Sequence, residues 1–529
     1  MEYVALVGVV AMVVAAIVGL TVPDDEAVGL KNAVCRIVHA DKGAFGCASG
    51  EDGDGGAGDD GGGGDSGEDP VVPPDDPFQP AKCLLSQDQT KDTVVIQILF
   101  IKISGSEQLK VQQWSDGTVT VERVTDSSVG VTASVSAGIP GLKDWGGSAS
   151  LSGTYTKGNG SGGQWLFGSH KSDNPQADLE ANLADAKAFA EALKQQDFCR
   201  AMIGSPVSPI SQVGCSNNAV SQMERTNPER MPDVDITKTT TEASGGVSFG
   251  KSFKKGSGEG GKDGEPKDLG SISTDLISGS MTQDVVVLRT NTGPDAGKVT
   301  FVYTFSVSGK AGEVGQVSGT RMQQVAVTYD AAMYDEEVKN GQPHRPQKMV
   351  ITTSQEAGEG PGINVGAGAN AGPVTIDVGG GGGEVESRIH TESAELVLDN
   401  DADSTLVEDW LRGRGDFPAG DALPSPSDAA EAPGADAGPI ERLLHDKGKL
   451  SRLDYKANTD WWNASLGIGF GISAGQVTMG FKLFGIDITH EHKEQTITGD
   501  PTYATGPQSG GARPWVEWKN CTQTTPITT

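Results

Sequence analysis

Apolar and polar positions alternate with two different periods along this chain. Near its start an uncharged apolar run, Val4 to Val22, is long enough to span a bilayer as one helix. Beyond Pro23, Val28, Leu30, Val34 and Ile37 recur at helical spacing and predict an amphipathic stem over Glu26–His39. From Cys83 onward the period drops to two, the signature of half-buried strands. Val94–Ser104 is apolar and β-branched and reads as one central strand. Val111–Trp114 and Thr118–Val124 flank Ser115-Asp116-Gly117, a hairpin signal. Further alternating segments are Val129–Gly138 with Ala149–Tyr155, Asp284–Arg289 with Lys298–Ser308, and Gln323–Tyr329 with Lys348–Ser354. Val374–Val378, Val385–Thr391 and Ala394–Leu398 follow, and the last group is Ala464–Ser473, Gln476–Leu483 and Ile486–Ile497.

Several of these strands put Gly, Ala or Ser on one face and a larger residue on the other, as in Ile363–Asn370 and Leu466–Ser473. Small residues on one face permit strong curvature. The predicted fold is therefore mainly β: long antiparallel hairpins forming a curled sheet or barrel-like body with one covering helix, preceded by an N-terminal apolar helix. The covering helix is Pro175–Met202, with Leu179, Leu183, Ala186, Phe189, Ala190 and Leu193 on one stripe, Pro175 in the first turn and Gly204 past the end. Thr405–Leu411 and Ile440–His445 are expected as short helices.

Composition sharpens the domain map. Of 529 residues 74 are Gly, and the net charge of −30 is unevenly spread. Glu51–Gln79 holds ten carboxylates without a Lys or Arg, and Asp416–Ile440 holds five. The expected organisation is a helix and stem over 1–47, a disordered acidic Gly-rich linker over 48–80 and a β-rich body over 81–414. A second acidic Pro/Ala linker covers 415–438, and hairpins over 439–529 complete the body. Such acidity repels nucleic-acid phosphate, so DNA or RNA is not an expected partner.

Six cysteines in an exported chain read as disulfides, with fifteen possible pairings. Sequence locality favours Cys35–Cys47 and Cys199–Cys215, which leaves Cys83 with Cys521 across the body. No pair has the CxxC spacing of zinc or thioredoxin-type sites.

Glu2-Tyr3 at the mouth of the apolar run resembles the start of Flp/TadE-type pilins and pilin-like secreted proteins of actinobacteria. The resemblance covers about the first 45 residues and implies an assembly signal at Glu2 and Tyr3. It also implies export, with engagement of a membrane through the N-terminal helix and of pilus or cell-envelope components. The expected location is the cell membrane, single-pass with an extracellular body, or the cell surface after secretion.

Motifs for chemistry are sparse. Gly245–Ser252 satisfies the P-loop pattern, and Gly246–Gly250 the nucleophile-elbow pattern around Ser248, but neither has the required strand before it and helix after it. Asp399, Asp401 and Asp403 supply the first three oxygen positions of a calcium loop, with Ser404 and Trp410 where Gly and Glu belong, so calcium is the one cofactor considered. His490 and His492 share a strand face. Trp461-Trp462 reads as buried aromatics at a barrel end. No other constellation points to catalysis. The expected function is a non-enzymatic surface protein of adhesion, pilus-associated or envelope type. The alternatives are an effector inserting amphipathic β-hairpins into a target membrane, or an exported hydrolase with an unrecognised site. An insertion hairpin needs an unbroken lipid face, and Lys482, Asp487, His490 and Lys493 interrupt the C-terminal one, which favours a soluble protein over the inserting effector.

Overall fold

The computed structural model describes residues 76–98, 101–134, 152–170, 175–203, 230–245, 278–311, 316–360, 362–371, 374–415, 417–420, 423–474, 477–508 and 511–522. The N-terminal helix and stem, Glu2, Tyr3, Cys35, Cys47, Cys215, the linker up to 75, Ser248 and the rest of the P-loop match after Gly245 lie outside them. Two compact units are present, 1–71 with 191–229, and 72–190 with 230–529. Of the first, only the C-terminal part of one helix is described. All that follows concerns the second.

Its strands form one antiparallel sheet that closes on itself. In chain order they are β1 (Leu84–Ile98), β2 (Ile101–Trp114), β3 (Val119–Ser134), β4 (Ser152–Phe167), β5 (Val234–Gly245), β6 (Ser278–Thr290) and β7 (Lys298–Ala311). β8 (Gln316–Asp330), β9 (Lys348–Gly360), β10 (Gly362–Ala371), β11 (Val374–Val397), β12 (Lys449–Ala474), β13 (Val477–Ala504) and a short β14 (Trp515–Glu517) follow. Each pairs with its chain neighbour, except that β9 and β10 lie end to end along β11 and act as one stave. β13 pairs β1 from Ser86↔Thr496 to Ile98↔Phe484, which closes a twelve-stave barrel. A row of paired residues that leaves β11 at Gly382 returns to it at Leu396, fourteen residues along. That stagger tilts the strands by about 40° to the axis.

The structure corrects several sequence-based expectations. Of the two forms expected, a curled sheet or a barrel-like body, the sheet takes the second and closes fully. Val94–Ser104 is not one strand but the tip of the β1–β2 hairpin, because a uniformly apolar run carries no period with which to mark a turn. The three segments expected between 374 and 398 are a single strand, β11, whose five consecutive glycines stay extended between β10 and β12. Among the described residues the covering helix is α1 (Pro175–Ile203), and an unexpected α2 (Ala331–Asn340) follows β8. The two short helices expected further on are longer, α3 (Asp401–Gly413) and α4 (Pro439–Lys447), with a final turn, α5 (Lys519–Thr522). The expected linker over 415–438 is folded against the body, with Ala419, Ala429 and Ala430 buried in the main core. Its small apolar residues fill gaps between helix and wall while Asp428, Glu431 and Asp436 stay at the surface. The body therefore has no boundary at 414 or 439. The end of the first linker is also anchored, since Phe78 lies 4.7 Å under the Arg513 guanidinium.

Paired residues share a face, so register sorts every strand position into two sets. Lys493 of β13 reaches Glu356 of β9 at 2.7 Å although β12 and β11 lie between them. Side chains three staves apart meet only where they converge, on the concave side. Their set therefore faces the lumen. The opposite set, which includes the exposed Val129 (59%) and Ile103 (37%), faces outward.

The main core lies outside the barrel wall. Val299, Val327, Met349, Ile351 and Leu396 occupy outward positions and are covered by Val407 and Leu411 of α3 and by Ile440, Leu443 and Leu444 of α4. Asn400 caps α3 by accepting from the Asp403 amide, and Glu441 returns a carboxylate to the Gly438 amide at the start of α4. A second patch forms where Phe189 of α1 packs on Trp165 and Phe167 of β4, 5.1 and 5.4 Å between ring centres. Buried Asn182 of α1 fixes the helix by donating to the Gly117 carbonyl of the β2–β3 turn. α2, α3, α4 and the disulfide Cys83–Cys521 stand at one end of the barrel, and the strand ends at Ile98, Ser134, Gly245, Ala311, Ala371 and Ala474 lie toward the other.

Candidate functional site

Outward positions change character along the strands. Next to the helices they are core. Beyond the core lies a charged belt with Asp88, Asp92, Glu107, Arg123, Glu384, Asp460, His490 and His492. Toward the tips the outward positions of β10 to β13 carry no charge. They read Ile363, Val365, Ala367, Ala369 and Ala371 on β10 and Val374, Ile376, Val378 and Gly380 on β11. On β12 they are Ala464, Leu466, Ile468, Phe470, Ile472 and Ala474, and on β13 Val477, Met479, Phe481, Phe484, Ile486 and Ile488. The same stretches carry Asn364, Asn370, Thr375, Asp377, Ser465, Ser473, Thr478, Lys482 and Asp487 at lumen positions.

Lys482, Asp487 and Lys493 therefore do not interrupt the outward face. A β-bulge opposite Ile468–Gly469 shifts the alternation of β13 by one residue, so Lys482 and Asp487 both fall on the lumen side, as does Lys493 farther down. Of the four interrupting residues only His490 is outward, and it sits at the edge of the belt. There it meets Asp92 at 2.7 Å and stacks on Trp462. His492 lies beside it, 3.7 Å from Asp88 and 3.5 Å from Glu494, so the two imidazoles share a face. Trp461 and Trp462 are not a buried pair: as strand neighbours they point to opposite faces, Trp461 to the lumen and Trp462 outward, and both are half-buried.

The lumen carries paired charges. Lys110 of β2 meets Glu122 of β3 at 2.8 Å, and Lys493 meets Glu356, which also accepts from Ser387 at 2.7 Å. Lys238 of β5 takes two partners, Asp126 of β3 at 3.1 Å and Asp284 of β6 at 3.6 Å, while Thr240 donates to Asp284 at 2.6 Å. Burial alone would lower the Lys238 pKa, but Asp284 and Asp126 outweigh it and hold the ammonium above the ordinary lysine value. Among these residues the sequence reading had singled out only Lys493. The one local signal was parity, with Gly at every second position of Gly158-Asn-Gly160-Ser-Gly162 and Lys238, Thr240 and Glu242 sharing one face.

Outside the wall, near the helices, His390 Nδ1 lies 2.7 Å from Asp454 and Nε2 3.4 Å from Glu392. These two carboxylates push His390 up to about 9 and keep it an imidazolium at neutral pH. Arg452 also reaches Glu392, at 3.3 Å, and stacks 3.8 Å over Trp515.

The calcium-loop carboxylates diverge. Asp403 pairs with Lys447 and accepts from Asn400, and Asp401 lies 3.6 Å from Arg345. Among the described residues no group of three or more His, Cys, Asp or Glu is placed to hold a metal ion. Cys83 and Cys521 are bonded, with 5.9 Å between their Cα atoms. Cys199 lies on α1, and its side chain is outside the described set.

No family model and no curated protein matches the chain. Among solved structures it is similar to the β domain of the Bordetella autotransporter BrkA, covering 78% of this chain and 99% of that one at 6% identity and a TM-score of 0.14. An anion-selective porin from Comamonas acidovorans covers 79% and 100%, and OmpT, an outer membrane protein of Vibrio cholerae, 79% and 98%, both at 6% identity and a TM-score of 0.14. Scores this low carry no weight for fold or function, which rest on register and charge. Among the described residues no helix is long and apolar enough to cross a membrane, a statement that does not extend to strands.

Proposed function

We propose that this protein inserts the hairpin-tip end of its barrel into a lipid bilayer and lines a water-filled path with its Gly/Ser/Thr-rich inner face. The helices and charged belt stay in water. One observation carries the reading: from Ala464 to Ala474 every outward position of β12 is uncharged and apolar, and β10, β11 and β13 match it across the register. Those eleven residues, tilted by about 40°, give an apolar band about 25–30 Å tall, the height of a bilayer core. Trp462 and His490 mark its lower edge, where an aromatic residue gains by facing both lipid and water. The apolar run Val4–Val22 adds a second lipid contact, in keeping with the pilin-like start. No catalytic step is assigned, and the bilayer is the partner.

Dye release from liposomes by the full chain tests this. Ile376→Lys and Ile472→Lys place a charge at outward positions, where a Lys near the bilayer midplane costs about 2–4 kcal/mol. Thr375→Lys and Ser473→Lys place it one residue away, at lumen positions. Release should fall at least tenfold for the first pair and persist for the second. Equal effects from both pairs, or no release by the unmodified protein, would overturn the reading. A purely adhesive surface protein would give the latter result.

A further inference from the structure

Gly158, Gly160 and Gly162 occupy three successive lumen positions on β4, so a strip of inner wall has no side chains. Asp126, Gly160 and Lys238 share one register row on β3, β4 and β5. A Cβ placed on Gly160 would lie 1.8 Å from Asp126 Oδ1, so the carboxylate lies flat over the glycine to reach Lys238 at 3.1 Å. Asp284 meets the same ammonium from the other side, at 3.6 Å. Lys110–Glu122 and Lys493–Glu356 each balance one cation with one anion, and Lys91 and Glu491 are register partners. This triad has two carboxylates for one ammonium, and Glu242 follows on the same face of β5. The inner surface at this level is therefore net negative, and the negative charge is held against the wall and out of the path.

We propose that Asp126, Lys238 and Asp284, laid across Gly160, form the charge-selective element of the lumen and favour small hydrated monovalent cations over anions. This rests on the pore reading above. Fixed charges on a narrow low-dielectric wall raise the local concentration of counter-ions. Gly160 acts as a positioning residue, because any larger side chain lifts Asp126 off Lys238.

The test is the reversal potential of the full chain in planar bilayers under a potassium chloride gradient, near 0.01 M salt where screening reaches about 30 Å. The unmodified protein should show a potassium-to-chloride permeability ratio above unity. Lys238→Gln should raise it roughly twofold or more, and the double variant Asp126→Asn/Asp284→Asn should bring it below unity. Gly160→Val should shift the ratio while circular dichroism shows an intact barrel. If all variants form channels with the ratio of the unmodified protein, the selectivity assignment is overturned and the pore stands. If the unmodified protein forms no channel, both fall.

Discussion

Arg513 donates through Nη1 to the main-chain carbonyl of Leu444, 3.2 Å away at the C-terminal end of α4. The same buried guanidinium donates to the carbonyls of His445 (3.0 Å), Ala504 (3.0 Å) and Thr505 (2.7 Å), so one side chain ties α4 to the end of β13. Burial brings its pKa down to about 10, which still leaves it charged at pH 7. Arg513→Ala takes a donor from four carbonyls that have little access to water, and the Leu444 carbonyl keeps only its bond from the Gly448 amide. It should cost about 3–5 kcal/mol. A shift of the urea midpoint with an unchanged slope would measure it, and Arg513→Lys should recover less than half, since one ammonium cannot span the fork.

The Lys493–Glu356 pair offers a check on which face is inner. Lys493→Met leaves the half-buried Glu356 without its cation and should cost about 1–2 kcal/mol. Adding Glu356→Gln should restore part of that loss. The coupling between the two substitutions, from a double-mutant cycle, should be about 1 kcal/mol, whereas residues diverging on a convex face would add independently.

His390 makes stability depend on alkaline pH. Its folded pKa, about 9, stands above the ordinary value of 6.5 because of Asp454 and Glu392. A raised folded value means the contribution is complete below pH 6.5 and is lost as pH rises through 9. The melting temperature should therefore fall between pH 6.5 and 9.5, and His390→Gln should flatten that slope. Because Asp454 is half exposed, added salt should also shrink the effect.

The Cys83–Cys521 bridge closes a loop of sequence separation 438 beside the β1–β13 seam. In the chain-entropy model a loop that long constrains the unfolded state by about 6 kcal/mol, an upper figure for real proteins. Reduction, or Cys83→Ser with Cys521→Ser, should lower the denaturation midpoint. Hydrogen exchange should then rise first in Ser86–Thr90 and His492–Thr496, the paired residues nearest the bridge.

Hairpin chemistry was legible because it is local. Ser115-Asp116-Gly117 turns the chain with Gly117 at φ 80°, and the Pro175 helix runs within one residue of its expected end. Alternation of small and large residues likewise announced a strongly curved β body. Sequence alone determined that class, the strand partners joined by short turns, the acidic exterior and the positions of the cysteines. Only the tertiary structure decided which alternate set faces the lumen. That choice depends on β13 meeting β1 some four hundred residues away and on a bulge in β13 that moves Lys482 and Asp487 to the inner side. It also decided that the acidic stretch after 415 is folded, since Ala429 and Ala430 find an apolar surface only once the barrel wall presents one. The lumen charges were illegible for the same reason. Lys238 and Asp126 lie 112 residues apart and meet over a glycine whose importance is the absence of a side chain, a property that registers only when a neighbouring strand is in place.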